Sequence, residues 1–504
     1  MAERAQGPTS QRAVAGALYV LSWATLAFVG RSLGVAAGEG GAIAASVSAA
    51  RALGGPLGVA RAAFEPAVGP PTSAAPPVLS AALGLLLGGG ALDGLTALRL
   101  GLASLTALAP PLVFLLARRP LGPAAAVLAA LLTLFHPRWL LSAAELHGEG
   151  ALAAFVMATL WAYDRFLDRP GRGPAAALGL AFGLAFVTSP AALMLPAAVV
   201  MQGAWPTTSF RRLFPDRRWK RLGQAMAAMA AGASACAALH AALARALGPA
   251  TLLWASERVA APSAPTLSAG RALALPWLSA PASTAVLALL GLATFGRLAS
   301  RYPARARPLV ASAAMTALLS TRPFTWPGQQ ALGREGVLIP LLALFAALGA
   351  RSVAAALAAR PGRAHRAPAL RALAFALALA GPFWASLRSP ATLSATFSEL
   401  AGGARLAARA RAMPLHDGSP IGGLAPAIDG LGRDELAAHA PSVTPEAWVW
   451  MHRLGRLRTR VRPVAPAFAE IEVQSGGEPP SGSVALVRDR QAIVSLRALG
   501  RAPD

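Results

Sequence analysis

The sequence predicts an all-α polytopic membrane protein of about 11 transmembrane helices, followed by a small α+β domain. Of the 504 residues, 55% are hydrophobic and 13% are charged, whereas about a quarter of the residues in a soluble domain are charged. The apolar residues form blocks close to the roughly 20 residues that cross a bilayer as a helix. These blocks stop near residue 387, and acidic residues and polar turns then become frequent. We therefore predict a transmembrane domain over residues 1–387 and a small extracytoplasmic domain over residues 388–504.

The apolar runs are justified as spans by their length and low charge. They cover residues 13–30, 98–117, 121–141, 150–167, 174–188, 190–206, 222–244, 282–297, 308–320, 336–350 and 369–387. The first run is followed by no small-residue cleavage site, so it is expected to be a retained span. The shorter, Gly-rich run at 77–92 is predicted to be a helix lying at the membrane surface.

The arginines predict the orientation of these spans. If the N-terminus is cytoplasmic, the loops alternate sides, and most arginines then fall on the cytoplasmic side, as the positive-inside rule requires. The excess of Ala, Arg and Gly, with Lys220 as the only lysine, is typical of a high-GC bacterial genome. We expect a multi-pass protein of the bacterial inner membrane, with a cytoplasmic N-terminus and a periplasmic C-terminal domain.

The net charge of +24 is explained mainly by these arginines. No DNA- or RNA-binding motif accompanies it, so no nucleic-acid partner is expected. The single cysteine, Cys236, lies inside an apolar run, which excludes a disulfide within the chain and argues against a structural zinc site.

The acidic residues before residue 388 gather on the predicted outer side. Those placed outside are Glu39, Glu65, Asp93, Glu145, Glu149, Glu257 and Glu335, and those placed inside are Glu3, Asp164, Asp168 and Asp216. One explanation is avoidance of the arginine-rich side. The other is a functional site at the outer membrane boundary, where ionisable groups are expensive and tend to be functional.

The stretch "HPRWLLSAAELHGEGALAAF", residues 136–155, carries three of the candidate site residues. Glu145 and Glu149 are four positions apart, so on one helix they would share a face. Glu149 also suits a helix N-terminus through the helix dipole alone. His147, between them, is a possible metal ligand, although lone histidines are usually structural or solvated.

The first predicted outer loop has an ordered set of features: Glu39, a helix-like segment at 42–53, Pro76-Pro77, Leu87-Gly88, and Arg99 opening the second span. Further along, Glu149 opens a span, "GLAFGLAFVTSPAALML" precedes a short pair of spans, and Arg334 precedes "GVLIPLLALFAAL". This succession, over about residues 13–387, resembles the integral-membrane glycosyltransferases of the GT-C fold. The resemblance is to the bacterial group related to protein O-mannosyltransferases and the lipid A aminoarabinose transferase.

The resemblance implies transfer of a sugar from a polyprenyl-phosphate-linked donor to an acceptor on the extracytoplasmic face. Glu39 would act as the base that takes the proton of the acceptor hydroxyl, with Glu149 as a second catalytic carboxylate. Arg334, with Arg258 and Arg271 as further candidates, would hold the lipid phosphate through a guanidinium fork. Glu65 would contact a metal ion or the acceptor, and Glu145 would contact the substrate. The family often uses a divalent metal ion, for which His147 is a candidate ligand. For each of these loop residues the alternative is a solvated surface side chain.

The tail is predicted from two patterns. "TPEAWVWMHRLGRL" has an N-cap Thr444, Pro445 at the first helical position, and apolar residues at helical spacing. "SVALVRDRQAIVSL" predicts two short strands around Arg488–Arg490. Acceptor binding and a purely structural cap are both open for this domain.

Two other classes compete with the glycosyltransferase hypothesis. A transporter or flippase should show matching repeats and ionisable residues near mid-membrane, and the sequence shows neither. A non-catalytic relative that serves as a scaffold remains open, because the acidic pair of the family is reduced to Gly38-Glu39 and the family's tyrosine after Arg334 is Glu335. Fold alone does not decide between a scaffold and an enzyme.

Overall fold

The structure, a computed structural model, describes fourteen stretches of the chain and the fold is built from them. They are residues 8–33, 43, 94–146, 149–205, 215–247, 281–320, 335–359, 366–387, 423–440, 443, 445–453, 455–475, 481–488 and 491–499. The predicted surface helix at 77–92 lies outside these residues, as does most of the predicted first outer loop.

The membrane part consists of helices that follow one another along the chain. They are α1 (Pro8–Ser32), α2 (Gly94–Thr106), α3 (Ala109–Leu121), α4 (Pro123–Leu134), α5 (Pro137–Ala144), α6 (Glu149–Asp168), α7 (Arg172–Thr188), α8 (Leu195–Ala204), α9 (Pro215–Leu247), α10 (Ala282–Arg301), α11 (Pro303–Ser320), α12 (Glu335–Ala358) and α13 (Ala367–Leu387). A helix or helix pair occupies the position of every apolar run predicted to span the membrane.

Length and hydropathy define which helices can cross a membrane. Among the described residues 6 qualify, or 7 if one bent pair counts as a single span. The six are Ser10–Ser32, Leu95–Leu121, Trp219–Ala242, Ala282–Arg301, Gly336–Ala358 and Ala367–Leu387. The chain is therefore a multi-pass membrane protein. The apolar helices Arg172–Thr188 and Ala191–Ala204 are shorter.

The run at 121–141, predicted as one straight span, is instead two helices, α4 and α5, bent by 62°. Pro137 supplies the physical reason. It has no N–H to continue the helix, and it disfavours helical backbone in the residue before it. His136 accordingly has an extended conformation, with φ −77° and ψ 120°. The bend turns α5 away from the direction of α4 and buries it completely.

Glycines allow two helix pairs to pack backbone against backbone. A Cβ added to Gly232 of α9 would collide with the backbone oxygen of Gly179 in α7. A Cβ on Gly291 of α10 would collide in the same way with Phe345 of α12, and one on Gly349 with Leu287. Small residues at such contacts are what membrane helices use to approach closely. These two contacts hold the middle of the bundle together.

One end of the bundle is closed by ion pairs between helix ends, and we call the four residues Arg119, Asp164, Asp168 and Arg307 the ionic cluster. Arg119, near the end of α3, contacts Asp164 at 3.4 Å and also Asp168, both in the last turns of α6. Arg307, in the first turn of α11, contacts Asp168 at 3.0 Å. Arg351 of α12 donates to the Pro120 carbonyl at 2.9 Å, and Arg221 of α9 to the Leu167 carbonyl at 3.2 Å. Helix ends that the sequence analysis placed on the cytoplasmic side are thereby tied to one another.

The C-terminal region contains a mixed five-stranded sheet with two helices. Its elements are α14 (Ala425–Asp429), β1 (Glu435–His439), α15 (Pro445–Arg453), β2 (Arg460–Pro463), β3 (Ile471–Ser475), β4 (Val484–Arg488) and β5 (Gln491–Ala498). The strand order is β2-β1-β3-β5-β4, with β1 parallel to β2 and β3, and β5 antiparallel to β3 and β4. Trp448, Met451 and Val473 are fully buried in it.

This sheet confirms part of the prediction for the tail and extends it. The predicted helix is α15, and the two predicted strands are β4 and β5, which pair as a hairpin. The strands β1, β2 and β3, each of four or five residues, were not predicted. The alternation of apolar and polar residues in β3 (Ile471–Ser475) is a signal that could have indicated it. The domain boundary near residue 388 falls outside the described residues and stays a prediction.

Candidate functional site

The candidate site is built around the junction of α5 and α6. Helix α5 ends at Ala144, and the Glu145 N–H donates to the Leu141 carbonyl at 3.0 Å. Glu145 then takes an extended conformation, with φ −79° and ψ 147°. Glu149 opens α6 as its first residue. Glu145 and Glu149 therefore do not share the face of one helix, because the chain leaves the helical conformation between them.

Close packing brings distant segments to Glu149. A Cβ on Gly150 would lie 2.6 Å from the Ala143 Cα and 2.8 Å from the Thr106 Cγ2, so only glycine fits where α6 starts against α5 and α2. A Cβ on Gly336 would meet the Glu149 Cβ and the Ser142 Oγ, each at 3.2 Å. The first turn of α12 therefore packs on the start of α6. Residues of α2, α5 and α12 therefore surround the first turn of α6.

The helix α5 carries charge into a buried position. Arg138 and Glu145 are each 7% exposed, and His136 is 3% exposed. The Ser142 hydroxyl donates to the Arg138 carbonyl at 2.7 Å, so the hydroxyl has its hydrogen-bond partner within its own helix. Ionisable side chains buried in the membrane part of a protein are costly and usually serve a function. The α5–α6 junction is thus a polar site enclosed by apolar helices.

Arg99 is a second buried arginine at the same end of the bundle. It is 3% exposed, and its Nη1 donates to the Gly30 carbonyl at 3.1 Å and to the Leu33 carbonyl at 2.8 Å. These carbonyls belong to the last turn of α1, which leaves acceptors without helical donors. A positive charge there also stabilises the helix dipole. Arg99 therefore fixes the point at which the chain leaves α1.

The sequence analysis named Arg99 only as a position in a motif and did not single out Arg138. Their burial makes both of them part of the site end of the bundle. Arg138 could have been recognised from its context, since Pro137 precedes it and "WLLSAA" follows it. A charge within an apolar run is a signal for a functional site.

The structure describes two of the predicted site residues, Glu145 and Glu149. Glu39, Glu65, His147, Arg258, Arg271 and Arg334 lie outside the described residues. In the part of the chain that is described, no group of three or more His, Cys, Asp or Glu side chains could hold a metal ion. The described residues thus do not by themselves fit the divalent metal that the resemblance implies.

The family model of dolichyl-phosphate-mannose-protein mannosyltransferases matches residues 75–233. Residues 75–233 are similar to membrane mannosyltransferases. The matched segment contains Arg99, Arg138, Glu145 and Glu149, and so covers the α5–α6 junction. The match confirms the resemblance to membrane glycosyltransferases that the sequence predicted.

Solved structures provide a further comparison. The chain is similar to ArnT from Cupriavidus metallidurans in the apo state, with 17% identity and a TM-score of 0.47, covering 97% of this chain and 98% of that one. It is also similar to ArnT bound to undecaprenyl phosphate, with 16% identity and a TM-score of 0.48, covering 99% and 100%. The apo oligosaccharyltransferase of Archaeoglobus fulgidus has 15% identity and a TM-score of 0.44, covering 90% of this chain and 65% of that one. No curated protein sequence matches the chain.

Proposed function

We propose that the protein is a membrane glycosyltransferase that moves a sugar from a polyprenyl-phosphate-linked donor to an acceptor at the extracytoplasmic face. One observation carries the proposal. The mannosyltransferase family model covers residues 75–233, and within them lies the junction where Glu145 is buried and Glu149 packs against α12. Glu145 and Glu149 are carboxylates, and a carboxylate can accept the proton of an acceptor hydroxyl or a hydrogen bond from it, as such a transfer requires.

Glu39 is the proposed base. Its carboxylate takes the proton of the acceptor hydroxyl while the hydroxyl oxygen attacks the anomeric carbon of the donor sugar. The bond between that carbon and the phosphate oxygen breaks, and the polyprenyl phosphate leaves with the bonding electrons. Glu39 is six residues beyond Leu33, whose carbonyl is held by Arg99 at 2.8 Å. The segment that carries the proposed base therefore starts at Leu33, a residue whose backbone is held by Arg99.

Glu149 is the proposed partner of that base. As the first residue of α6 it lies at the positive end of a helix dipole, where a negative charge is stabilised. An ionised carboxylate there can accept a hydrogen bond from a sugar or acceptor hydroxyl and orient it. Glu145 and Glu65 are proposed to contact the same substrates.

The leaving phosphate requires positive charge. Arg334 is proposed to supply it, since it is two residues before Gly336, which packs on the Glu149 Cβ at 3.2 Å. Arg258 is a second candidate in the predicted outer loop that follows α9. A guanidinium can bind two phosphate oxygens at once. No step is assigned to a metal ion, and His147 is retained only as a candidate ligand.

The orientation is part of the proposal. We place the N-terminus in the cytoplasm, the eleven predicted spans in the bacterial inner membrane, and the C-terminal domain in the periplasm. The arginine distribution supports this placement. The position of the ionic cluster also supports this placement, because the cluster joins helix ends that the predicted orientation assigns to the cytoplasm.

The proposal is tested by transfer of radiolabelled sugar from a panel of polyprenyl-phosphate donors by the purified full-length protein. We expect Glu39→Gln and Glu149→Gln each to lower the rate by on the order of 100-fold or more. Glu435→Gln is the matched control, since Glu435 is an exposed glutamate on β1, and its rate should equal that of the wild type.

Three outcomes are informative. Transfer by the wild type with loss in both site variants supports the proposal. No transfer from any donor would favour a non-catalytic scaffold. Transfer that is unaffected by Glu39→Gln would remove Glu39 as the base while leaving the activity intact.

A further inference from the structure

The end of α1 is held from two sides by two arginines. Arg99 of α2 donates to the Gly30 and Leu33 carbonyls. Arg456, from the C-terminal sheet region, donates through its Nη2 to the same Gly30 carbonyl at 3.2 Å and to the Thr96 hydroxyl at 3.3 Å. A carbonyl oxygen has two lone pairs and can accept both bonds. One backbone oxygen thus joins α1, α2 and the C-terminal domain.

Arg456 is fixed within its own domain. It follows Gly455, whose φ of 76° makes the left-handed turn that ends α15. Its N–H donates to the Met451 carbonyl at 2.8 Å, and the Leu457 N–H donates to the same carbonyl at 3.0 Å. Met451 is fully buried in the domain core. The position of the guanidinium therefore follows the position of the whole C-terminal domain.

The bond from Arg456 is not needed to cap α1. Arg99 already donates to both carbonyls at the end of that helix, from a neighbouring helix of the membrane part. What Arg456 adds is a link between the C-terminal domain and the point where the chain leaves α1. Glu39 follows Leu33 by six residues, a chain length that spans at most about 20 Å.

We propose that Arg456 is a positioning residue through which the C-terminal domain holds the end of α1 and the segment that carries the catalytic base. This inference rests on the proposed function, in which Glu39 is that base. Arg456 does not touch the substrate. It acts through Gly30 and Thr96, and its loss allows the start of the Glu39 segment to shift.

The test compares three variants of the full-length protein: Arg456→Ala, Arg456→Lys and Arg458→Ala. Arg458 is the matched control because it is an exposed arginine two residues further along the same turn. A displaced base lowers the rate of the chemical step, and misplacement by about 1 Å can cost on the order of 100-fold. We therefore expect Arg456→Ala to lower kcat by roughly tenfold or more while the KM for the donor changes little.

The lysine variant separates positioning from simple loss of stability. A lysine ammonium can still donate to the Gly30 carbonyl, although without the fork of the guanidinium. We expect Arg456→Lys to recover part of kcat and Arg458→Ala to match the wild type. If Arg456→Ala leaves kcat unchanged, or if kcat falls only in proportion to the folded fraction with no recovery in the lysine variant, the proposal is wrong.

A second readout does not depend on transfer. Hydrogen exchange of backbone amides in peptides covering residues 30–42 should be faster in Arg456→Ala than in the wild type or Arg458→Ala, with no donor present. Equal exchange in all three proteins would overturn the positioning role. If the wild type transfers no sugar and exchange still becomes faster in Arg456→Ala, the link stands and the proposed function fails, so the two failures are distinguishable.

Discussion

Arg119 and Arg99 lie near opposite ends of the same span, Leu95–Leu121, and they bind different kinds of partner. Arg119 pairs with the carboxylates of Asp164 and Asp168, and its side chain is 37% exposed. Arg99 is 3% exposed and donates to backbone carbonyls. Helix α6 repeats the contrast, with Asp168 in the ionic cluster at one end and Glu149 in the candidate site at the other, about 30 Å apart along a 20-residue helix.

This difference in burial and in hydrogen-bond partners indicates which end of the bundle carries the candidate site. The side chains of Arg119 and Asp168 are 37% and 34% exposed, and ion pairs that water reaches contribute little to stability. Asp164 is buried, but it lies 3.4 Å from Arg119, so the ionic cluster is explained by joining helix ends. Buried charges such as Arg138 and Glu145 carry a desolvation cost, and in membrane proteins such residues usually serve a function. Polar groups kept in such a place are expected where substrate must be bound or protons moved.

The candidate site and the ionic cluster keep a fixed separation only if the helices between them pack rigidly. Substitution of Gly232 is the strongest test of this packing. Gly232→Leu places a side chain where the backbone of Gly179 lies, so α7 and α9 must separate. We expect a loss of roughly 3 kcal/mol or more in the free energy of unfolding, seen as a lower unfolding temperature in detergent and less monodisperse protein.

Gly223→Leu is the matched control for this change. Gly223 lies on the same helix, and a Cβ there meets nothing within 4 Å. It should unfold at the wild-type temperature. Equal unfolding temperatures of Gly232→Leu and Gly223→Leu would show that the contact between Gly179 and Gly232 does not hold α7 and α9, and with them the two ends of the bundle, in a fixed relation.

Arg99→Ala is expected to have the next largest effect. It removes the arginine that donates to the Leu33 carbonyl and one of the two arginines that donate to the Gly30 carbonyl, and hydrogen bonds of charged groups contribute about 1.5–3 kcal/mol each. We expect the free energy of unfolding to fall by about 3 kcal/mol. Arg301→Ala, at an exposed position at the end of α10, should change it by less than about 0.5 kcal/mol. Similar losses in both variants would remove the distinction between buried and exposed arginines.

The positions of the helices were predictable from the apolar runs, although among the described residues only 6 or 7 spans have the length and hydropathy to cross a membrane. Their pairing was not, since the contacts of Gly179 with Gly232 and of Gly291 with Phe345 depend on which helices meet, and a single sequence carries no such information. The bend at His136 could have been predicted from Pro137, because proline restricts the residue before it.

The candidate site was predictable in part. Glu149 opens α6 as its sequence context indicated, because an acidic residue before an apolar run suits a helix start. The burial of Arg138 and Arg99 was missed, since burial depends on packing by α1 and α2. The contact of Arg456 with Gly30 joins residues more than 400 positions apart, and no local pattern predicts such a contact.

The smallest expected effect concerns the ionic cluster, at the end of the bundle opposite the candidate site. In a double-mutant cycle with Arg307→Ala and Asp168→Asn, the 3.0 Å pair should show a coupling free energy of about 0.5 kcal/mol, because Asp168 is 34% exposed and water screens the pair. The coupling should shrink further in about 1 M salt, where the Debye length is about 3 Å. A salt-independent coupling above about 2 kcal/mol would mean that this end too holds its charges in a desolvated setting. Solvent screening of its ion pairs would then no longer distinguish the ionic cluster from the candidate site at the opposite end of the bundle.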